Sequence, residues 1–276
     1  MRGCPVGDAT KLGTDGSGRG LEGAAGPQGN IRTGGGGEAA GRSVLFTGMT
    51  AACPLFVTGA TGYLGRAFTQ AALARGHAVR GLVRPGRAGA LLPGVTPVEG
   101  DALRAESYVG QLAPGETLVQ LVGTPHPGPA KAAAFRAVDL PSGLAAVEAA
   151  VSAGLPHLVY VSVAQPAPVM QAYIAVRAEV EARIRAAAAG GLAATILQPW
   201  YLLGPGHRWP LVLVPLYALG RCFPATRAGA ERLGLLTLET MVRAMLAALD
   251  PRPAPGEVRT WDVPTLRRRG SAPPGG

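Results

Sequence analysis

A chain of 276 residues with 47% apolar and 16% charged residues is long enough to bury a substantial core, as one large domain or two small ones. The net charge of +9 raises the question of a nucleic-acid partner, but the positive residues are scattered, with no basic stripe interleaved with aromatics. Nucleic acid is therefore not expected, and attraction for a phosphorylated ligand together with arginine-rich coding accounts for the charge. Cys4, Cys53 and Cys222 have neither metal-ligand spacing nor a disulfide framework, and no charged segment followed by an apolar one opens the chain. The expectations are no bound metal and a reducing, cytoplasmic setting.

Residues 1–50 are rich in Gly and Ala and lack aliphatic periodicity, so they are expected to be a disordered extension. Met49-Thr-Ala-Ala-Cys-Pro reads as a normal start, which makes residues 1–48 an expected over-extension of the reading frame or a dispensable tail. The foldable region is then 51–264, with a substrate-side part from about residue 200, and 265–276 with Arg267–Arg269 as a solvated, disordered tail.

The first element organises the rest. An apolar run, Leu55–Val57, gives way to glycines at 59, 62 and 65, and an apolar-periodic stretch, Tyr63–Ala74, follows. That is a buried strand, a tight turn and a helix. Gly59 allows the turn, Gly62 leaves room for a phosphate at the main chain, and Gly65 lets the helix approach the strand. The free N–H groups at the helix start favour a pyrophosphate, so Gly59, Thr61, Gly62, Tyr63, Leu64 and Gly65 are candidate dinucleotide contacts.

Arg75-Gly76 ends the helix, and His77–Val83 is the second strand. An acid about 20 residues beyond the glycines would bind a ribose 2′-hydroxyl. Here the stretch Val83-Arg84-Pro85-Gly86-Arg87 has none, and the Arg84 guanidinium suits a 2′-phosphate, which favours NADP while leaving NAD open. Val95–Val98 is a third strand, ending in Glu99-Gly100-Asp101; Arg104–Leu112 is a helix candidate. Thr117–Val122 is a fourth strand feeding the Gly/Pro loop from Gly123, so Leu121, Val122, Gly123 and Thr124 are expected on the nicotinamide-ribose side, and His126 is open to substrate contact or plain solvent.

Lys131–Ala153 is expected to be one long helix, His157–Ser162 the fifth strand, Ala172–Ala189 a helix with the ion pairs Glu179/Arg183 and Glu181/Arg185, and Ala193–Leu197 the sixth strand. Leu235–Thr237 reads as a short strand whose Thr237 caps a helix over 238–249, and Glu257–Val263 as a last strand. Strand and helix alternate, which predicts an α/β fold: a Rossmann-like, doubly wound parallel sheet with helices on both faces. The apolar stretch Trp209–Leu219 is too short to span a bilayer and is open to a lid, a partner surface or membrane contact, and His207 and Trp209 are candidate pocket residues.

Four stretches, Thr58–Gly65, Gly100-Asp101, Val159–Ser162 with Tyr173–Arg177, and Ala194–Gly206, together resemble the extended and atypical short-chain dehydrogenase/reductase superfamily, including NmrA-like proteins and the NAD-dependent epimerase/dehydratase group. The resemblance spans roughly Leu55 to Val263. It implies an NAD(P)-dependent oxidoreductase or epimerase-like enzyme on a small carbonyl or alcohol, or alternatively a non-catalytic dinucleotide sensor or assembly protein. It also implies that Asp101 lies beside the adenine, that Pro199 belongs to the cofactor site, and that Ser162, Tyr173 and Arg177 stand at the serine, tyrosine and lysine positions of active members. That chemistry needs a phenol beside a cation, so that it can exchange a proton with the substrate oxygen. Arg177 departs from the usual lysine, as Gln198 does from the usual arginine of the T-I-L-R-P stretch.

Overall fold

The computed structural model describes residues 52–205 and 224–271. The expectations for residues 1–51, for Cys222, for His207 and Trp209, and for the stretch Trp209–Leu219 lie outside the described residues.

Strands β1 (Leu55–Thr58), β2 (Val79–Val83), β3 (Thr96–Glu99), β4 (Thr117–Gln120), β5 (His157–Val161), β6 (Ala193–Leu197) and β9 (Val258–Trp261) form one parallel sheet in the order β3-β2-β1-β4-β5-β6-β9. The central strands are apolar on both sides because helices cover both faces. Leu55, Val57, Val119 and Leu197 point to one layer, built from α1 (Tyr63–Ala74), α5 (Leu238–Ala247) and α6 (Val263–Ser271). Phe56, Leu118, Leu158 and Ile196 point to the other, built from α2 (Leu140–Ser152) and α3 (Gln171–Ala188). The strand order reverses between β1 and β4, so the crevice at a topological switch point opens above the carboxyl ends of these two strands.

Helix α1 has the predicted bounds, and β6 and β8 (Leu235–Thr237) have theirs. Thr237 caps α5 by accepting the Thr240 N–H at 3.0 Å. Three expectations change. Arg104–Leu112 is two 3₁₀ turns, Ala105–Ser107 and Val109–Gln111, because Asp101 and Ser107 bind nearby backbone groups in place of a helical ladder. The long helix from Lys131 is interrupted by a π-helical turn over Phe135–Asp139 before α2 begins. The tail is helical up to Ser271, since Leu266 and Gly270 are buried against α5 and Arg267 donates to the Leu235 carbonyl at 2.8 Å. Further elements were not foreseen. β7 (Tyr201–Leu203), within the Gly/Pro-rich stretch after β6, pairs in parallel with β8, and a helix, α4 (Pro224–Arg232), precedes β8.

Candidate functional site

The glycine turn sits where the switch point requires it. Gly59 has φ +78°, and a Cβ there would lie 2.7 Å from the Leu121 carbonyl carbon and 2.8 Å from Val122 N. The exits of β1 and β4 thus touch at backbone distance. A Cβ at Gly65 would overlap the Gly59 carbonyl oxygen, whereas one at Gly62 would meet only that oxygen, at 3.3 Å. Gly62 is exposed and heads α1 with no side-chain cap and no acid in the first turn. The first N–H groups of α1 have no helical acceptor, so a pyrophosphate fits here. Thr61 turns its carbonyl to Arg66 Nε at 3.1 Å, Leu64 packs into the core, and the Tyr63 ring stands over Gly204.

Arg84 is exposed at the end of β2, in a turn closed by the Arg87 N–H on the Arg84 carbonyl, and neither arginine side chain is paired among the described residues. An acid does reach this turn, but from β3: Glu99 accepts the Gly86 N–H at 2.9 Å. Asp101 caps the following turn through the Leu103 N–H at 3.0 Å. Pro199 is buried, and its carbonyl accepts the Ala164 N–H at 2.9 Å. His126 is an exposed loop residue with φ 50°.

Tyr173, Arg177 and Glu181 recur every four residues and share one face of α3, turned toward the carboxyl ends of β5 and β6. The structure places Arg177 differently from a ribose-binding lysine. It is 5% exposed, and its Nη2 pairs with Asp139 Oδ1 at 2.5 Å. Its Nη1 donates to the Val161 carbonyl at 2.9 Å and the Tyr160 hydroxyl at 3.3 Å. Burial works against the charge, but Tyr173, Tyr160 and Asp139 more than offset it, and Arg177 remains a cation. The Tyr160 phenol is pushed up to about 12 by burial, with Arg177 pulling the other way.

The Tyr173 ring lies 4.8 Å from that of Phe135 and 5.0 Å from the Arg177 guanidinium carbon, and its hydroxyl has no hydrogen bond among the described residues. Ser162 is buried and donates to Glu181 Oε1 at 2.6 Å. The same carboxylate accepts Gln165 Nε2 and Gln198 Nε2, both at 2.9 Å, and Arg185 Nη2 at 3.0 Å. Sequence reasoning read Glu181 only as the ion-pair partner of Arg185 and passed over Asp139. The signals were there: Glu181 continues the Tyr173–Arg177 spacing, and Asp139 is a lone acid in the apolar run Ala137-Val-Asp-Leu-Pro.

An apolar hollow of about 730 Å³ between α1 and α5, lined by residues such as Ala71, Leu203 and Val242, shares no residue with this polar cluster. Among the described residues no group of three or more His, Cys, Asp or Glu side chains could hold a metal, and no helix is long and apolar enough to cross a membrane.

A glycine turn, an uncapped helix start and a switch-point crevice lie in one place, and the sequence profile of the NAD(P)H-binding family matches residues 59–208. The chain belongs to the NAD(P)H-binding family. No curated protein matches the sequence. Solved structures share the fold at low identity. The Bordetella bronchiseptica enzyme WbmH, in complex with NAD+, is 18% identical with a TM-score of 0.54, over 79% of each chain. DesIV, a dTDP-glucose 4,6-dehydratase from Streptomyces venezuelae with NAD bound, is 20% identical with a TM-score of 0.55, again over 79% of each chain. A short-chain dehydrogenase/reductase superfamily protein from Agrobacterium tumefaciens with bound NAD is 19% identical with a TM-score of 0.54, over 78% of this chain and 81% of that one. This NAD(P)H-binding chain therefore shares the Rossmann-like fold of these structures, as its motifs lead one to expect, and its cofactor is a nicotinamide dinucleotide.

Proposed function

We propose that the chain is an NADP(H)-dependent oxidoreductase, or an epimerase-like enzyme, acting on a small carbonyl or alcohol. The nicotinamide would give hydride to the substrate carbon or accept it. The glycine turn and the α1 N-terminus would hold the pyrophosphate, Arg84 the 2′-phosphate, Asp101 the adenine side, and Leu121, Val122, Gly123 and Pro199 the nicotinamide side. Preference for the phosphorylated cofactor is supported by Arg84 and Arg87, two arginines unpaired among the described residues, beside one carboxylate, Glu99, already engaged by Gly86.

The observation that carries catalysis is the Tyr173 hydroxyl. It lies in the first turn of α3, at the carboxyl edge of the sheet, with its ring held by Phe135 and Arg177 and its oxygen unengaged among the described residues. In carbonyl reduction Tyr173 Oη would pass its proton to the substrate oxygen as the carbon receives hydride. In the reverse direction Ser162, whose own proton is committed to Glu181, would accept from the hydroxyl of an alcohol substrate.

A second reading, a non-catalytic dinucleotide-binding sensor or assembly protein, draws on Arg177 being buried and neutralised by Asp139. NADPH oxidation against a panel of aldehydes, ketones, quinones and sugar nucleotides, for wild type and Tyr173→Phe, separates the two. The expected result is a loss of about 100-fold or more in turnover, with NADPH affinity kept. Turnover indifferent to Tyr173→Phe refutes the catalytic assignment, and binding without turnover on any substrate selects the second reading.

A further inference from the structure

We propose that Asp139 is a positioning residue for the nicotinamide half of the dinucleotide: its carboxylate ties the Gly123–Thr124 exit of β4 to Arg177, and Arg177 is its counter-ion instead of the cation that touches the ribose. The inference rests on the reading of the β4 exit as the nicotinamide side.

Two i,i+4 pairs face each other across the helices. Phe135 and Asp139 open and close the π-helical turn, and Tyr173 and Arg177 stand on α3. Phe135 meets Tyr173, and Asp139 meets Arg177. The π turn lets one short segment supply both partners, and such turns are frequent at functional sites.

Asp139 is fully buried and divides its two oxygens. Oδ1 takes Arg177 Nη2 at 2.5 Å, while Oδ2 takes the Thr124 N–H at 3.0 Å and the Thr124 hydroxyl at 2.5 Å. Gly123 rests directly on the pair: a Cβ there would lie 2.5 Å from Arg177 Nη2 and 3.0 Å from Asp139 Oδ1. The β4 exit is thus fixed by one carboxylate from below, and the guanidinium beside it is the counter-ion of that buried carboxylate. Both terminal nitrogens of Arg177 are engaged within the protein, which leaves it unavailable for the role a lysine has in the active members that the motifs resemble. The planar fork reaches Asp139, the Val161 carbonyl and the Tyr160 hydroxyl at once, which a single ammonium head does not do.

The test measures dissociation constants for NADPH and for 2′,5′-ADP, which lacks the nicotinamide half, by calorimetry, with the fluorescence of bound NADPH as a reporter of the nicotinamide environment. Asp139→Asn alone strands a buried guanidinium and is expected to unfold. The working variants are Asp139→Asn/Arg177→Gln, a neutral pair of similar shape, and Thr124→Val, which removes only the hydroxyl tie from a half-buried loop residue. In both, NADPH should bind more weakly, by about tenfold in the double variant, with its bound fluorescence lowered, while 2′,5′-ADP binds as to wild type. Equal weakening of both probes would mean a merely structural pair and overturn the proposal. Unchanged NADPH binding and fluorescence in either variant would overturn it too, leaving the cofactor reading intact. No NADPH binding to the wild type would refute the cofactor reading itself, and this inference with it.

Discussion

Replacing Glu181 with Gln tests whether one carboxylate organises the floor of the site. Its Oε1 accepts Ser162, Gln165 and Gln198, and its Oε2 accepts Arg185, which is about half-exposed. An amide retains one acceptor and turns two N–H groups toward groups that are themselves donors. Either Arg185 loses its partner, or the three interior donors face another donor. A hydrogen bond to a charged group contributes about 1.5–3 kcal/mol, and the Arg185 contact is discounted for solvent screening. The expected loss is then about 2–4 kcal/mol. At roughly 2–4 °C per kcal/mol for a domain of this size, the melting temperature should fall by about 5–15 °C. Thermal unfolding of the full chain by circular dichroism reads this. Ser162→Ala and the double variant measure how much of the loss passes through the serine, with a coupling of roughly 0.5–3 kcal/mol expected for residues in one network. A midpoint within about 1 °C of wild type would refute the assignment of Glu181 as the hub, because a buried carboxylate with four donors cannot be replaced at no cost.

Arg84→Asp should weaken NADP(H) binding and improve NAD(H) relative to it, since a carboxylate repels a 2′-phosphate and can accept from a 2′-hydroxyl; titration with both cofactors checks this, and equal wild-type affinity for the two would contradict the role of Arg84. The buried His157 is lowered to about 3, by burial first and then by Arg252 and Arg259. The unfolded chain therefore takes up this proton near the ordinary value of about 6.5 while the folded protein refuses it, so stability present above that value should drain away as the pH falls toward 3. Urea unfolding should show about 2–3 kcal/mol lost to this group between pH 7 and 4.5, and a slope as steep in His157→Gln would exclude it as the cause.

The fold was legible because its signals are local. The run Leu55–Val57 with glycines at 59, 62 and 65 specifies strand, turn and helix within a dozen residues, and Thr237 announces its helix by chemistry that acts three residues away. The misreadings share a non-local cause. Periodicity over Lys131–Ala153 holds no record of a π turn, which exists because Asp139 finds Thr124 and Arg177 on other elements. Arg267–Arg269 looks like a solvated basic tail until Leu266 is seen buried beneath it and the Leu235 carbonyl is there for Arg267 to bond. Tyr201–Leu203 carries no strand pattern of its own and becomes a strand only beside Leu235–Thr237.

The same distinction runs through the site. Residue types at the serine, tyrosine and lysine positions were read from spacing along one helix, but what each can do depends on partners that spacing does not name. Thr58, Gln120 and Tyr160 lie in register across β1, β4 and β5, and all three face the α2–α3 layer. With Ser162 and Gln198 just beyond β5 and β6, they make a polar row above an otherwise apolar core. Thr58 bonds Gln120, Arg177 bonds Tyr160, and Glu181 gathers Ser162 and Gln198, so nearly every member is answered from within the protein. A buried polar row survives only when its members satisfy one another. Here the acids that do so, Asp139 and Glu181, consume the arginine and the serine proton that the motif alone would have assigned to catalysis. Of the three groups at those positions, the Tyr173 hydroxyl is the one left uncommitted among the described residues, and the proposed proton transfer rests on that oxygen.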